Sequence, residues 1–534
     1  MTAAVLETGE ELDVMSTDQN HSAVVIGAGL GGLSCGAHLA KHGVTVTIVE
    51  QGFRPGGYAR SFAREDGRFD FELSLHGTSI NDNTAARILD DLGVLDKIEL
   101  VELPEVYRLK TPELDIVVPQ RDPEAYIDVL AEHFPDEADG IRGFVHLMVE
   151  VADEGDRFGR LHATEEVDLS QFPTQFPKMW EIRDKTLADL LGEYVTDATL
   201  AEALSGLWCY FGLPPSQLSA FVYAGSTGNY LKNGSFYIKP RSQALSDALA
   251  DVVEASGGQI RYRSRAEEIL VADGAVAGVR LADGSVLPAT AVVSNASAVT
   301  TLTKMLPEGA VPPEYRDRIS SHRPSISSFV VWLGLDTELR GKVDGYSTHV
   351  ATGAGPEAEY AACQIGDVEH NGFTVTVYDN AFEGYSQPGT STVMLFCQSG
   401  FEPWRRYEED YAAGNRAAYN EEKERWAESL IRRAEELVIP GLSSMIEFKL
   451  TASPLTNRAI TGNPEGAIYG FAQSMDNAYF TRIPNETPVN GLYLAGAWGN
   501  PGGGFGGALS GGRAAFTEVV RSWARARTVP STSS

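Results

Sequence analysis

Apolar residues fill positions 23–26 and 44–49 almost without interruption, and a stretch rich in Gly, Ala and Leu lies between them. Short unbroken apolar runs suit strands buried on both faces of a parallel sheet, so 23–50 predicts one strand–helix–strand unit. Gly27, Gly29 and Gly32 give its first turn the spacing G-x-G-x-x-G. The first glycine makes the tight turn, the second lets a pyrophosphate approach the backbone, and the third lets helix and strand pack closely. The helix N-terminus then offers unpaired N–H groups and a positive dipole end to a diphosphate. Glu50 closes the second strand, where a carboxylate accepts hydrogen bonds from the ribose hydroxyls of an adenosine. A 2′-phosphate there would face a second negative charge, so a dinucleotide without one is expected.

Further along, 69–75 alternates, with Phe69, Phe71, Leu73 and Leu75 on one face and Asp70, Glu72, Ser74 and His76 on the other. That period predicts a half-buried strand. From 81 to about 230 the pattern is mainly helical, with amphipathic helices at 86–92 and 123–133. Phe172, Phe176, Met179 and Trp180 form a proline-punctuated apolar patch. It reads as a lid packed on the core, or as an entrance that dips into a membrane, with the lid favoured. A helix is predicted at 242–256. Strands at 259–262, 266–271, 276–281 and 291–294 follow, and the turns Asp273-Gly274 and Asp283-Gly284 mark a meander. A strand at 327–333 and a charged helix at 419–437 follow. At the C-terminus, 491–497 is an apolar strand, then NPGGGFGG and a helix. Gly502, Gly504 and Gly507 repeat the G-x-G-x-x-G spacing, but no second strand or acid follows, so this is not a second dinucleotide unit. It still makes an electropositive cradle at a helix N-terminus. Gly56-Gly57 between Arg54 and Arg60 likewise suggests backbone close to a ligand, with cations for phosphate.

The chain has 534 residues and a formal net charge of −30. Two or three domains are expected, one of them discontinuous. The charge disfavours nucleic acid and anionic membrane surfaces as bulk partners. Cys35, Cys209, Cys363 and Cys397 are scattered, and the histidines lack metal-ligand spacing, so a reducing compartment and no metal are expected. Residues 1–19, with Glu7, Glu10, Glu11 and Asp13, read as a disordered acidic arm rather than a signal peptide. No apolar run is long enough to span a bilayer. A cytoplasmic location follows, with peripheral membrane contact left open by the 172–180 patch.

The chain resembles the phytoene desaturases, carotenoid isomerases and retinol saturases, within the amine-oxidase-like flavoproteins. The likeness is carried by GAGLGGLSCGAHLAKHGVTVTIVEQ with RPGGYARSF, by YFGLPPSQLSAFVYAG and SQALSDALADVVEASGGQI, by ADGAVAGVRLADGS with AVVSNA, and by EGAIYGF with GLYLAGAWGNPGGGFGGALSGGRAA. It implies an α/β fold: a Rossmann-like FAD-binding domain built from 20–80, 232–300 and 455–528, and a mixed α+β substrate-binding domain from 81–231 and 301–454. It implies non-covalent FAD. Gly27, Gly29, Leu30, Gly31 and Gly32 would hold the diphosphate, and Glu50 with Gln51 the adenosine ribose. Arg54, Gly56, Gly57, Arg60 and Ser61 would line the diphosphate and ribityl chain. Ala266 would meet the adenine. Asn295, Gly496, Gly504, Phe505, Gly506 and Gly507 would meet the ribityl chain and flavin ring.

The implied activity is redox chemistry or cis–trans isomerisation at a carbon–carbon bond of a hydrophobic polyene or isoprenoid, with the electron partner unspecified. Tyr58, the segment Phe71-Glu72-Leu73 and Ala497 depart from the family pattern. His76, at the far end of the alternating strand, is the candidate proton donor or acceptor, oriented by Glu72 and Ser74. Its alternative role is to satisfy backbone groups at a strand end. Rival readings are a flavin amine or porphyrinogen oxidase, and a non-catalytic prenyl-lipid carrier. Intact Gly27, Gly29, Gly32 and Glu50 favour the enzyme.

Overall fold

The computed structural model describes residues 21–164, 169–478 and 481–528, so the acidic arm lies outside the described residues. Five strands make a parallel sheet: β1 (Ser22–Ile26), β2 (Thr45–Val49), β3 (Gln259–Arg261), β4 (Ala291–Ser294) and β5 (Leu492–Leu494), in the order β5-β4-β1-β2-β3. Val24 pairs with Thr47 on one side and Val292 on the other, and Val293 pairs with Tyr493. Successive side chains on a strand point to opposite faces. Ala23 and Val25 accordingly pack with Leu33 and Leu249, whereas Val24 and Ile26 pack with Ile269 and Val279. The first face is covered by helix α1 (Leu30–Lys41) and helix α2 (Phe505–Thr528), the second by the meander Ala266–Ala272, Ala275–Leu281 and Val286–Pro288. Asp273 and Gly274 both have positive φ, 51° and 78°, as a two-residue hairpin turn of the primed kind requires.

A second, mixed sheet has seven strands, in the order Ile446–Ala452, Ser327–Leu335, Ser391–Ser399, Phe373–Val377, Ser347–Val350, Tyr107–Lys110 and Asp115–Val118. Ser327–Leu335 is buried at every position. The helices of 123–233 pack on this sheet's edge around Phe144, Met148 and Tyr223.

Four expectations are corrected. The stretch 81–230 is not simply helical: Glu99–Glu102, Tyr107–Lys110 and Asp115–Val118 are strands. Each has four residues, too few for a period of two to stand out. The predicted strand at 69–75 stops at Glu72, and its polar face is only partly solvated: Asp70 is half exposed, whereas Glu72 is fully buried. The strands at 259–261 and 291–294 leave the meander for the parallel sheet. The 491–497 strand ends at Leu494, and Gly496–Trp498 is a 3-10 turn. The aromatic patch is a packed lid. Phe172, Phe176 and Met179 are buried, and the Glu154 carboxylate accepts from the Met179 N–H at 2.8 Å. Trp180 alone reaches the surface, under the Arg183 guanidinium at 3.6 Å. No helix among the described residues is long and apolar enough to cross a membrane.

α1 and α2 touch through glycine. A Cβ added at Gly512 would lie 2.2 Å from the Gly31 carbonyl oxygen. Gly512→Ala should therefore cost about 1–3 kcal/mol, despite alanine's better helix propensity. Urea unfolding monitored by circular dichroism checks this.

Candidate functional site

A cavity of about 1100 Å³ opens where the C-terminal ends of β1 and β2 meet the N-termini of α1 and α2. Gly27, Gly29, Leu30 and Gly31 line it, as do Glu50 and Gln51. Gly29 is the N-cap of α1 and supplies no side-chain cap, so the first-turn amides are left for a ligand. Glu50 Oε2 accepts from the Ala28 N–H at 2.8 Å and Oε1 from the Gly52 N–H at 2.6 Å. Two amides thus aim the carboxylate, and each oxygen keeps a lone pair for a hydroxyl.

Gly56, Gly57 and Arg60 form the next part of the wall. The Gly56 N–H donates to the Ala28 carbonyl at 2.7 Å, and a Cβ at Gly57 would stand 3.3 Å from the Gly29 Cα. Both residues have positive φ, so this turn can lie flat against the first glycine loop. Ala266 and Asn295 line the opposite side, and Gly504, Phe505, Gly506 and Gly507 bring in the start of α2. The Asn295 amide covers three glycines: Cβ atoms at Gly29, Gly31 and Gly496 would approach it to 2.9, 2.6 and 2.2 Å.

Four anticipated residues do not line the cavity: Gly32, Arg54, Ser61 and Gly496. Gly32 packs α1 on β1, where a Cβ would lie 2.0 Å from the Gly27 carbonyl oxygen. Gly496 backs Gly31, whose added Cβ would meet its Cα at 2.4 Å. Arg54 donates to the Ser61 carbonyl at 3.2 Å, and the two brace the turn from behind.

The other end of the cavity is aromatic. Tyr210, Phe211, Phe221 and Tyr230 face Phe396 and Tyr469 across it. Spacing could not find this wall, because its residues come from segments far apart in sequence. Tyr210 and Phe211 fall in the YFGLPP block, the one local signal. His76 lines the cavity beside this wall, 6.1 Å from the Tyr210 ring. Its Nδ1 meets Thr376 Oγ1 at 2.7 Å, and its ring lies edge-on to Phe396 at 5.5 Å. Burial lowers its pKa to about 3, with the nearby His349 adding to the shift. Glu72 and Ser74 do not orient it. The Glu72 carboxylate is occupied by the Ser242 hydroxyl at 2.5 Å, the Ser242 N–H at 2.9 Å and the Tyr237 hydroxyl at 3.0 Å. The Ser74 hydroxyl donates to the Tyr58 carbonyl. The backbone of 72–76 is instead clamped by Trp332, Tyr378 and Tyr346, which donate to the carbonyls of Glu72, Leu75 and His76.

A family model described as flavin containing amine oxidoreductase matches residues 30–436. The chain belongs to that family. It is 25% identical to the human all-trans-retinol 13,14-reductase, over 89% of this chain and 81% of the relative. It is 27% identical to the neurosporene-forming phytoene desaturase of Rhodobacter capsulatus, over 92% of both chains. Prolycopene isomerase of Daucus carota is 25% identical, over 94% of this chain and 81% of the relative. Among solved structures, an oxidoreductase from Methanosarcina mazei superposes with a TM-score of 0.58 at 19% identity, covering 92% of this chain and 99% of that one. Putrescine oxidase bound to putrescine gives 0.59 at 13%, covering 94% and 99%.

As a flavin containing amine oxidoreductase the chain is an enzyme with a flavin cofactor, and the cavity fits one. An uncapped helix start, a carboxylate with free lone pairs and two flat glycine turns converge on it. At Gly504 an added Cβ would meet nothing within 4 Å, so the start of α2 faces open space. Of the family departures, Tyr58, Leu73 and Ala497 face the cavity, whereas Phe71 and Glu72 do not, and the Ala497 carbonyl accepts from Arg482 at 2.7 Å. Among the described residues no His, Cys, Asp and Glu cluster could hold a metal, and all four cysteines are free.

Burial lowers four histidines: His38 and His76 to about 3, His349 to about 4, and His322 below its ordinary value. Below pH 6.5 the unfolded chain takes up protons that these rings refuse. Their contribution is therefore complete above 6.5 and lost as pH falls, toward 4 for His349 and toward 3 for His38 and His76, each with a slope of up to about one proton. The Tm difference between wild type and His76→Asn should shrink from pH 7 to pH 4.5 in calorimetry.

Proposed function

We propose that the chain binds FAD non-covalently and uses it to oxidise, reduce or isomerise a carbon–carbon bond of a hydrophobic polyene. The observation that carries this reading is one continuous cavity with a dinucleotide cradle at one end and an aromatic wall at the other. At about 1100 Å³ it exceeds the usual ligand pocket of roughly 300–1,000 Å³, leaving room for a large cofactor and a second molecule. The names of the relatives, a retinol reductase, a phytoene desaturase and a prolycopene isomerase, support a polyene. No cysteine lines the cavity, which favours a cofactor held without a covalent thioether. The domain division set out above, into segments 20–80, 232–300 and 455–528 against 81–231 and 301–454, is part of the proposal.

FAD supplies hydride exchange when bound. The chain's own residues do the rest. The α1 amides hold the diphosphate, Glu50 takes the ribose, and Gly56, Gly57 and Arg60 close over the linker. Tyr210, Phe211, Phe221 and Phe396 exclude water and align an apolar chain. His76 is neutral at working pH, so it can accept or donate a proton at the ring nitrogen not engaged by Thr376. An amine oxidase on the same scaffold is the rival, favoured by the putrescine oxidase superposition. Oxygen, a quinone or a carrier protein serves as electron partner, since only one complete dinucleotide unit is present.

Heat-denatured holoenzyme should release free FAD into the supernatant. Glu50→Gln should weaken FAD by tenfold to a hundredfold, from the loss of about 1.5–3 kcal/mol of charge-assisted hydrogen bonding. Its amide would also face the Ala28 or Gly52 N–H, donor against donor. Titration of apoprotein measures the loss, and unchanged affinity would remove Glu50 from the site.

The decisive experiment is anaerobic. Oxidised holoenzyme is mixed with phytoene and dithionite-reduced holoenzyme with all-trans-retinol, while flavin absorbance is followed. A single-turnover change with either polyene and none with putrescine supports the reading, and the converse supports the amine oxidase. His76→Asn should keep its FAD and slow that turnover by about a hundredfold. An unchanged rate would assign His76 to structure.

A further inference from the structure

Behind Phe396 lies a second, smaller chamber of about 40 Å³, which the proposed chemistry does not use. Phe396 lines both spaces. The chamber is lined by Glu202, Glu359, His349 and Gln398, all buried. Three of these residues carry a buried polar atom without a partner: Glu202 Oε1, His349 Nε2 and Gln398 Oε1.

The chemistry of those atoms is one-sided. His349 Nδ1 lies 3.4 Å from the Gly206 carbonyl and 3.8 Å from Cys209 Sγ; with its N–H given to the carbonyl, the stronger hydrogen-bonding partner of the two, Nε2 is left as a lone pair. The Gln398 amide nitrogen donates to the Cys209 carbonyl, which leaves its oxygen free. Three unsatisfied acceptors therefore surround one small space. Glu359 Oε1 accepts from the Thr352 N–H and hydroxyl. An unsatisfied buried acceptor costs roughly 1–3 kcal/mol, so such a lining calls for donors. Water supplies them. A space of this size holds about two or three waters, each needing two to four polar partners.

We propose that the chamber is a hydrated proton store, in which ordered water bridges Glu202, His349 and Gln398 and one exchangeable proton is held by the Glu202–Glu359 pair. Burial and the Glu202 charge raise Glu359 to about 7, while Thr352 and Arg433 oppose them. Glu202 is raised by burial and by Glu113 on the surface side. The remaining titratable groups facing the chamber are Cys209, Cys397 and His349, and Cys363 stands behind it on the helix of Glu359. His349 is 5.3 Å from the Tyr210 ring, which lines the main cavity and is 6.1 Å from His76.

Resting on the polyene reading, the store answers a need of that chemistry. Redox change at a carbon–carbon bond moves one hydride, exchanged with the flavin, and one proton. In reduction the carboxyl gives up its proton through the chamber water toward the substrate, becomes a carboxylate, and is reprotonated from solvent past Glu202. In oxidation the same path runs outward.

Three measurements on the holoenzyme test this. A high-resolution crystal structure should show two or three waters bridging the three acceptors, and a dry chamber overturns the proposal. Infrared spectroscopy should show a protonated carboxyl band titrating near pH 7, lost in Glu359→Gln and shifted in Glu202→Gln. A band that is absent, or that survives Glu359→Gln, overturns it. Neither measurement needs a substrate, so failure to find polyene turnover would fall on the proposed function and leave the chamber standing. With the polyene that turns over in the flavin assay, Glu359→Gln should keep full FAD, slow single turnover at least tenfold at pH 7, flatten its pH dependence and leave half-saturation unchanged. An unchanged rate and pH profile would overturn the supply of protons to the substrate. A glutamine amide offers the chamber the same donor as a protonated acid and can still accept from Thr352, so this variant should fold.

Discussion

The structure depends on how closely three pieces of backbone approach one another. Gly31 at the start of α1 meets both Gly496 after β5 and Gly512 in α2: a Cβ at Gly31 would lie 2.4 Å from the Gly496 Cα, and one at Gly512 would lie 2.2 Å from the Gly31 carbonyl oxygen. The Ser34 hydroxyl donates to the Leu509 carbonyl at 2.9 Å, tying together positions 475 residues apart. This contact sets the first helix N-terminus beside the second. Two positive dipole ends then share one cavity, which neither end of the chain could build alone. Any side chain larger than hydrogen at these positions would separate the helices and widen the cradle between them.

This constraint also separates what the sequence shows from what it hides. The G-x-G-x-x-G unit was legible because every role in it is local: turn, helix start and terminal acid lie within 28 residues, and periodicity reads them directly. The glycine-rich start of α2 was legible as a cradle for the same reason. Gly32 and Gly496, however, were expected at the ligand and instead pack backbone on backbone. Glycine permits close approach to a ligand or to another strand of chain, and the residue type is the same in either case. The aromatic wall stayed hidden for a different reason. Tyr210, Phe396 and Tyr469 meet only after the seven-stranded sheet is assembled, and no spacing records that.

His76 shows how burial can reverse the expected role of neighbours. Alternation placed Glu72, Ser74 and His76 on one polar face, which is sound for a strand facing solvent. The strand instead ends at Glu72 inside the protein, and each polar side chain finds its own partner there. Glu72 turns to Tyr237 and Ser242 within a cluster of buried tyrosines, and burial raises its pKa. The segment is then held by its carbonyls, through Trp332, Tyr346 and Tyr378, rather than by its side chains. A ring mounted on a clamped backbone has one rotamer to choose, and its hydrogen bond to Thr376 makes that choice.

The same physics accounts for the division of labour inside the cavity. An apolar wall can align a long hydrophobic molecule but cannot carry charge, and desolvation keeps His76 and His349 neutral. A proton that His76 passes to the substrate must therefore be replenished from groups that burial pushes toward protonation rather than away from it. Carboxylates shift in that direction and imidazoles in the opposite one. Glu359, raised to about 7, lies one aromatic layer behind the wall, where a neutral acid is stable and water has room beside it. Placing the acid outside the substrate cavity keeps the wall dry, while Phe396 and the neighbouring rings of Tyr210 and His349 bring the two spaces together.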